Sequence, residues 1–145
     1  MFAQRIHWVA ITGQCLWLLL TSVGSAAESL SARLSMMPID EVNRGILTGS
    51  GSATAVLDGN NLSLTGSFAG LRGPATIARL HQSRDRGIRG SALYDLSVTP
   101  NVTGSIEGEV ELTPEQVEML LAGRLYIQIH STSAPDGNLW GWLLK

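Results

Sequence analysis

The stretch Ser105-Ile106-Glu107-Gly108-Glu109-Val110-Glu111-Leu112 decides the class of fold. Ile106, Val110 and Leu112 alternate with Glu107, Glu109 and Glu111, the period of two that a β-strand buries on one face and wets on the other. The glutamate row reads as a solvated face. Carboxylates two residues apart on an open strand point the same way, repel, and find no other ligand in the pattern. The period then changes at once. Thr113 is a good N-cap, Pro114 fits the first helical position, and Gln116 completes a capping box. Val117, Leu120 and Leu121 form an i, i+3, i+4 stripe and Gly123 is a helix stop, so one short helix is expected at about 114–122.

Outward from this stretch, the chain reads as short strands between turns. Strands are expected over 30–36, 49–57, 62–68, 76–82 and 92–98, then over 125–130 and 139–144 after the helix. Asp58-Gly59-Asn60-Asn61 marks a hairpin turn, and Pro135-Asp136-Gly137-Asn138 marks another. Gln82 to Gly90 reads as a long polar loop. The 16 glycines against 5 prolines agree with a turn-rich β protein. At 44% hydrophobic and 15% charged residues, the 145-residue chain is no disordered polyelectrolyte, and its length suits one domain. The net charge of −2 argues against a nucleic-acid binder.

The first 27 residues are set apart. Arg5 supplies a positive start, Val9 to Leu20 an apolar core interrupted by Thr12-Gly13-Gln14, and Gly24-Ser25-Ala26-Ala27 the small residues before a cleavage point. Residues 1–27 are therefore expected to be a signal peptide and 28–145 a single exported domain, periplasmic or secreted, with no membrane insertion after the signal is removed. The only cysteine, Cys15, lies in the leader, so the mature chain would have neither a disulfide nor a thiolate site. Loss of Arg5 leaves nine basic residues against 12 acidic ones.

Several pieces line up in order. Gly70-Leu71-Arg72-Gly73-Pro74-Ala75 is followed by Ala78-Arg79-Leu80-His81, then Leu112-Thr113-Pro114-Glu115-Gln116 with Leu121-Ala122-Gly123-Arg124-Leu125-Tyr126. Gln128-Ile129-His130-Ser131 and Pro135 to Gly141 complete the set. The order resembles the CHRD (chordin) domain family over nearly the whole mature chain. That resemblance implies an immunoglobulin-like or superoxide-dismutase-like Greek-key β-sandwich with the one short helix. It implies a fold more than a function. The family's His-x-His is Arg79-Leu80-His81 here, and the Glu and Arg of its terminal motif are Asn138 and Trp140. Any role resting on those pairs is not carried over.

Two groups of residues offer chemistry. His81 and His130 are half of a transition-metal site, for copper or zinc, if their strands bring them together, with Asp95 or Asp136 to complete the set. The alternative is that each imidazole ties a loop to the backbone. Arg79 beside His81 works against a bound cation. Arg79, Arg84, Arg86 and Arg89 form a basic patch on an acidic protein, suited to an anionic or acidic partner, unless they pair with Asp85 and nearby glutamates. Trp140 and Trp142 share one face of the last strand and read as core, because Leu139, Gly141 and Leu143 on the other face are apolar too. No nucleophile elbow or phosphate loop is present. The expected function is an exported, non-enzymatic binding or structural module without a cofactor, which meets a protein or an anionic surface. The alternative is a metal-binding protein using His81 and His130.

Overall fold

A computed structural model describes residues 26–145. The expected signal peptide lies outside the described residues up to position 25. The domain is all-β with one helix: β1 (Glu28–Met36), β2 (Ser50–Asp58), β3 (Asn61–Ala69), β4 (Ala75–Gln82), β5 (Ala92–Val98), β6 (Gly104–Glu111), α1 (Pro114–Leu121), β7 (Leu125–Ser131) and β8 (Leu139–Trp142). Each expected strand is present within one or two residues. The last one ends earlier than expected, at Trp142, and Leu144 beyond it bridges Ser31.

The sandwich expectation is corrected. All eight strands close into one antiparallel barrel in the order β1-β2-β3-β6-β5-β4-β7-β8, with β8 returning to β1. The pairing still divides the barrel into two well-paired halves. β1, β2, β3 and β6 pair along nearly their whole lengths, from Glu28↔Leu57 to Phe68↔Gly104. β4 and β7 do likewise, from Ala75↔Ser131 to Gln82↔Leu125. The two halves meet at short seams. One is Ser97↔Glu107 with Val98↔Ile106, the other Ser35↔Trp140 with Met36↔Leu139. Those seams give every strand two neighbours, which removes the open edges a sandwich would leave.

Alternation fills the barrel. Leu30, Leu34, Leu62, Leu64, Leu80, Ile106, Ile127 and Ile129 are all at most 2% exposed and form one core. The glutamates of β6 point out, as their period demands. α1 lies in the crossover from β6 to β7. Thr113 and Gln116 make the reciprocal capping box, and Gly123, at φ +69°, turns the chain out of the helix. Leu120 is buried with Val117 and Met119 against the core, whereas Leu121 stays 42% exposed. The apolar stripe therefore runs through Met119 rather than Leu121. The Tyr94 hydroxyl shares its one proton between the Glu111 carbonyl at 2.9 Å and Gln116 Oε1 at 3.0 Å, fixing the start of α1 to β5.

Leu80→Ala should lower the unfolding free energy in urea by about 2–5 kcal/mol, because it empties a fully buried site. Ser63→Ala, on the wet face, should stay within about 0.5 kcal/mol. Equal losses for the two would contradict this assignment of inside and outside.

Candidate functional site

The outer face of β7, between β4 and β8, is unusual because it is buried like the inner one. On β7, Leu125, Ile127 and Ile129 enter the barrel core. Tyr126 and Gln128 point the other way, yet are 0% and 4% exposed. The register sets His81 opposite Tyr126, Arg79 opposite Gln128, and Ile77 opposite His130. On the other side of β7, Trp142 lies opposite Tyr126 and Trp140 opposite Gln128. Loops 83–91, 132–138 and 37–49 cover this face.

The aromatic rings form a continuous layer. His81 stacks on Tyr126 at 4.9 Å, Tyr126 meets Trp142 at 4.5 Å, and Trp140 meets Trp142 edge-on at 5.9 Å. The two tryptophans thus do not enter the barrel core as expected. Leu139 and Leu143 do, while Trp140 and Trp142 are half-buried outside it. Trp140 packs on a second small core of Met37, Leu47 and Ala134 beneath the loops. Apolar residues on both faces of one strand fit either arrangement, so the sequence alone misplaces them.

Each histidine ties down a loop. His81 Nδ1 lies 3.2 Å from the Gly90 carbonyl, which can only accept, so Nδ1 carries the proton. The Gly90 N–H in turn donates to the Tyr126 hydroxyl at 3.0 Å. One residue of loop 83–91 is therefore gripped through both of its backbone groups by a stacked pair. The fit is close: a Cβ at Gly90 would overlap the Gln82 carbonyl. The loop is further held by Ser83 N–H to the Arg124 carbonyl and by Gln82 N–H to the Ser91 carbonyl, both 2.9 Å. His130 Nδ1 donates to the Pro135 carbonyl at 2.8 Å. Its Nε2 accepts from the Gln128 amide at 3.1 Å, and the same amide donates to the Asp136 carbonyl.

The two imidazoles do not form one ligand set. They sit four residues apart along the paired strands, roughly 13 Å of strand rise, with Arg79 and Gln128 on the rung between them. Arg79 is bound by Asp95 at 2.6 Å, so that carboxylate is engaged as well. Among the described residues, no group of three or more His, Cys, Asp or Glu could hold a metal ion. One atom stands out: His81 Nε2 is buried without a hydrogen-bond partner among the described residues. Burial pushes the His81 imidazole below the ordinary value of 6.5. The Gly90 bond opposes this, and His130, Arg79 and Arg89 add to it.

The four arginines diverge. Arg79 is in its ion pair with Asp95. Arg86 turns its guanidinium toward Gly123, at the carbonyl end of α1, whose last turn carries no basic residue of its own. Arg89 donates to the Asp136 carbonyl at 3.0 Å, and Arg84 is exposed. The expected pairing with Asp85 is not what forms, since Asp85 Oδ1 accepts the backbone N–H of Arg86. Among the described residues the ion pairs are Arg79–Asp95 and Lys145–Glu28, so Arg84, Arg86 and Arg89 have no acidic partner there. A cleft of about 270 Å³ opens beside Arg89, between loops 37–49 and 132–138. Sequence reasoning missed it, because its walls come from segments distant in the chain.

The matching family is the CHRD domain, over residues 30–143, and the chain belongs to it. No curated protein and no solved structure gives a significant match.

The His81 clamp should make stability pH-dependent. The folded state holds this group below its unfolded value, so between the two the unfolded chain binds the extra proton. Stability should be full above about pH 6.5 and fall as pH drops through that value toward the lower folded one. His81→Phe keeps a stacking ring and removes the titration. Urea midpoints at pH 7.5 and 5.0 should differ less in that variant than in the parent. An unchanged difference would place the acid sensitivity elsewhere.

Proposed function

We propose that this CHRD domain is an exported, non-enzymatic binding module whose contact surface is the Arg84–Arg89 side of loop 83–91. The supporting observation is a rigidly mounted cation. Arg89 spends one donor on the Asp136 carbonyl and has no acidic partner among the described residues, although the protein as a whole is acidic. Its other guanidinium donors are free to meet a carboxylate, sulfate or phosphate, and the hydrogen bonds at both ends of the loop reduce the entropy lost on docking. Arg84 adds charge to the same side. Arg79 and Arg86 hold the frame, one against Asp95 and one at the end of α1. The partner class is a protein or another surface that presents anionic groups.

Export rests on the leader-like residues 1–27 and on family membership. No described helix is long and apolar enough to cross a membrane. The non-enzymatic reading rests on where the titratable groups are spent. His81, His130 and Asp95 hold a loop, a carbonyl and an arginine, and none is paired with a nucleophile.

A metal reading has one observation in its favour, the buried and unpartnered Nε2 of His81. It has a single nitrogen to offer, since His130 Nε2 already accepts from Gln128. Copper(II) or zinc(II) at ten times the protein concentration should therefore move the melting temperature by less than about 2 °C, because only binding to the folded state stabilises it. A larger shift that His81→Ala abolishes would revive this reading.

The docking surface is tested on immobilised poly-L-glutamate at low salt. The parent should be retained despite its net negative charge and should elute as salt rises. The double variant Arg84→Gln/Arg89→Gln should flow through with an unchanged melting temperature. Equal retention of parent and variant would remove these arginines from the function.

A further inference from the structure

Loop 83–91 is fastened to the barrel by polar contacts. Residues 84–91 are all exposed, and the loop's one large apolar side chain, Ile88, stays outside both apolar cores. The β4–β5 ladder slips between Leu80 and His81. Past the His81↔Ala92 pair, the two chains are joined by the bond from the Gln82 N–H to the Ser91 carbonyl. A segment that buries no apolar side chain opens at far lower cost than a barrel strand, so it can move while the barrel stays closed.

The His81 ring lies at the root of this loop. It is 8% exposed, stacked on Tyr126 and joined at Nδ1 to the Gly90 carbonyl, while Nε2 reaches no acceptor among the described residues. Arg79 on its own strand is held by Asp95 of β5. Tyr126 and His130 face it from β7, and Arg89 from the loop, with one donor on the Asp136 carbonyl. Beyond Tyr126, β8 offers Trp142, which carries no charge. The charges of His130, Arg79 and Arg89 all oppose a proton on the ring, and no carboxylate acts against them.

We propose that loop 83–91 is an acid-released latch, lifted from the barrel by a proton on His81 Nε2. The Nδ1 bond is not what fails, since Nδ1 donates in both charge states. The cost arises at Nε2, which becomes a charged, buried donor with neither acceptor nor water. Lifting the loop brings solvent to the ring and takes Arg89 away from it. In the closed form burial holds the imidazole below the ordinary 6.5, and in the open form it returns toward that value. The closed form therefore keeps its full advantage above about pH 6.5 and loses it as pH falls toward the lower closed-state value. Acid weakening of the whole fold requires no moving part; the latch has the loop leave while the barrel stays intact. The opening does not depend on what the loop arginines meet.

The test is amide hydrogen exchange on the isotope-labelled purified protein, read by NMR between pH 7.5 and 5.0 and corrected for the intrinsic rate at each pH. The Gly90 N–H, held by the Tyr126 hydroxyl, reports the loop. The Ser31 N–H, on the Leu144 carbonyl, and the Leu112 N–H, on the Asn60 carbonyl, report the barrel. Acid should lower the protection of Gly90 several-fold along the titration of the His81 ring, while Ser31 and Leu112 keep theirs. His81→Phe should leave Gly90 indifferent to pH over this range. Tyr126→Phe loosens one grip and populates the open form, so the His81 midpoint should rise toward 6.5 in that variant. Gly90 protection that stays level through the His81 titration would overturn the latch. So would equal losses at Gly90, Ser31 and Leu112, which are unfolding of the barrel, or an acid response that survives in His81→Phe.

Discussion

The backbone of Gly90, held by His81 on its carbonyl and Tyr126 on its N–H, is the contact on which the candidate face depends. Both partners belong to one rung of the barrel, since His81 pairs with Tyr126 across β4 and β7. The barrel therefore sets the clamp, and the clamp sets the loop that bears Arg84, Arg86 and Arg89. The arrangement leaves His81 Nε2 buried without a partner, and an unsatisfied polar atom of that kind costs about 1–3 kcal/mol. Stacking on Tyr126 and the two Gly90 hydrogen bonds offset part of that. The imidazole must also stay neutral, because a proton on Nε2 would be buried with no acceptor beside Arg79 and Arg89.

Burial on both faces of β7 follows from the same geometry. A barrel of eight strands leaves half of every strand pointing outward, and on β2, β3 and β6 those positions are mostly Ser, Thr and Glu in water, with Val56 the exposed aliphatic exception. On β7 and β8 they are Tyr126, Gln128, Trp140 and Trp142, which need cover. The three loops supply it, and the Gln128 amide is satisfied by His130 and the Asp136 carbonyl rather than by solvent. Here the loops are a second layer packed on aromatic rings, which is why they can present a shaped cleft.

The strands were legible because their signal is local. Ile106, Val110 and Leu112 against three glutamates, or Leu62, Leu64 and Phe68 against Ser63, Thr65 and Ser67, announce which side is wet. The helix was legible for the same reason, through Thr113, Pro114, Gln116 and Gly123. Closure was not. It depends on β8 meeting β1 through Ser35↔Trp140, a pairing across most of the chain with no local mark. The tryptophans were misplaced because a strand covered on both faces has no polar side to orient it. The site was legible only in its parts. His81, His130 and the arginines were found as residues, but whether they converge is set by the β4–β7 register, which separates the histidines, and by loop paths that send Arg86 and Arg89 apart.

Arg79 shows what one side chain does to the character of this face. Where the CHRD pattern has the first histidine of a pair, this chain has a guanidinium, on the rung between His81 and His130. Its partner Asp95 comes from β5, so the pair ties β4 to β5 on the outer surface. An exposed pair of this kind adds at most about 1 kcal/mol to stability, so fold stability alone is a weak reason for an arginine there. Its electrical effect is larger in consequence. The positive charge lies where a cation would have to approach His81, and it lowers the affinity of that imidazole for a proton. Asp95 balances that charge toward β5, so Arg79 adds little to the positive side formed by Arg84 and Arg89. Arg79 thus makes this rung a poor place for a cation, whatever the loop arginines meet.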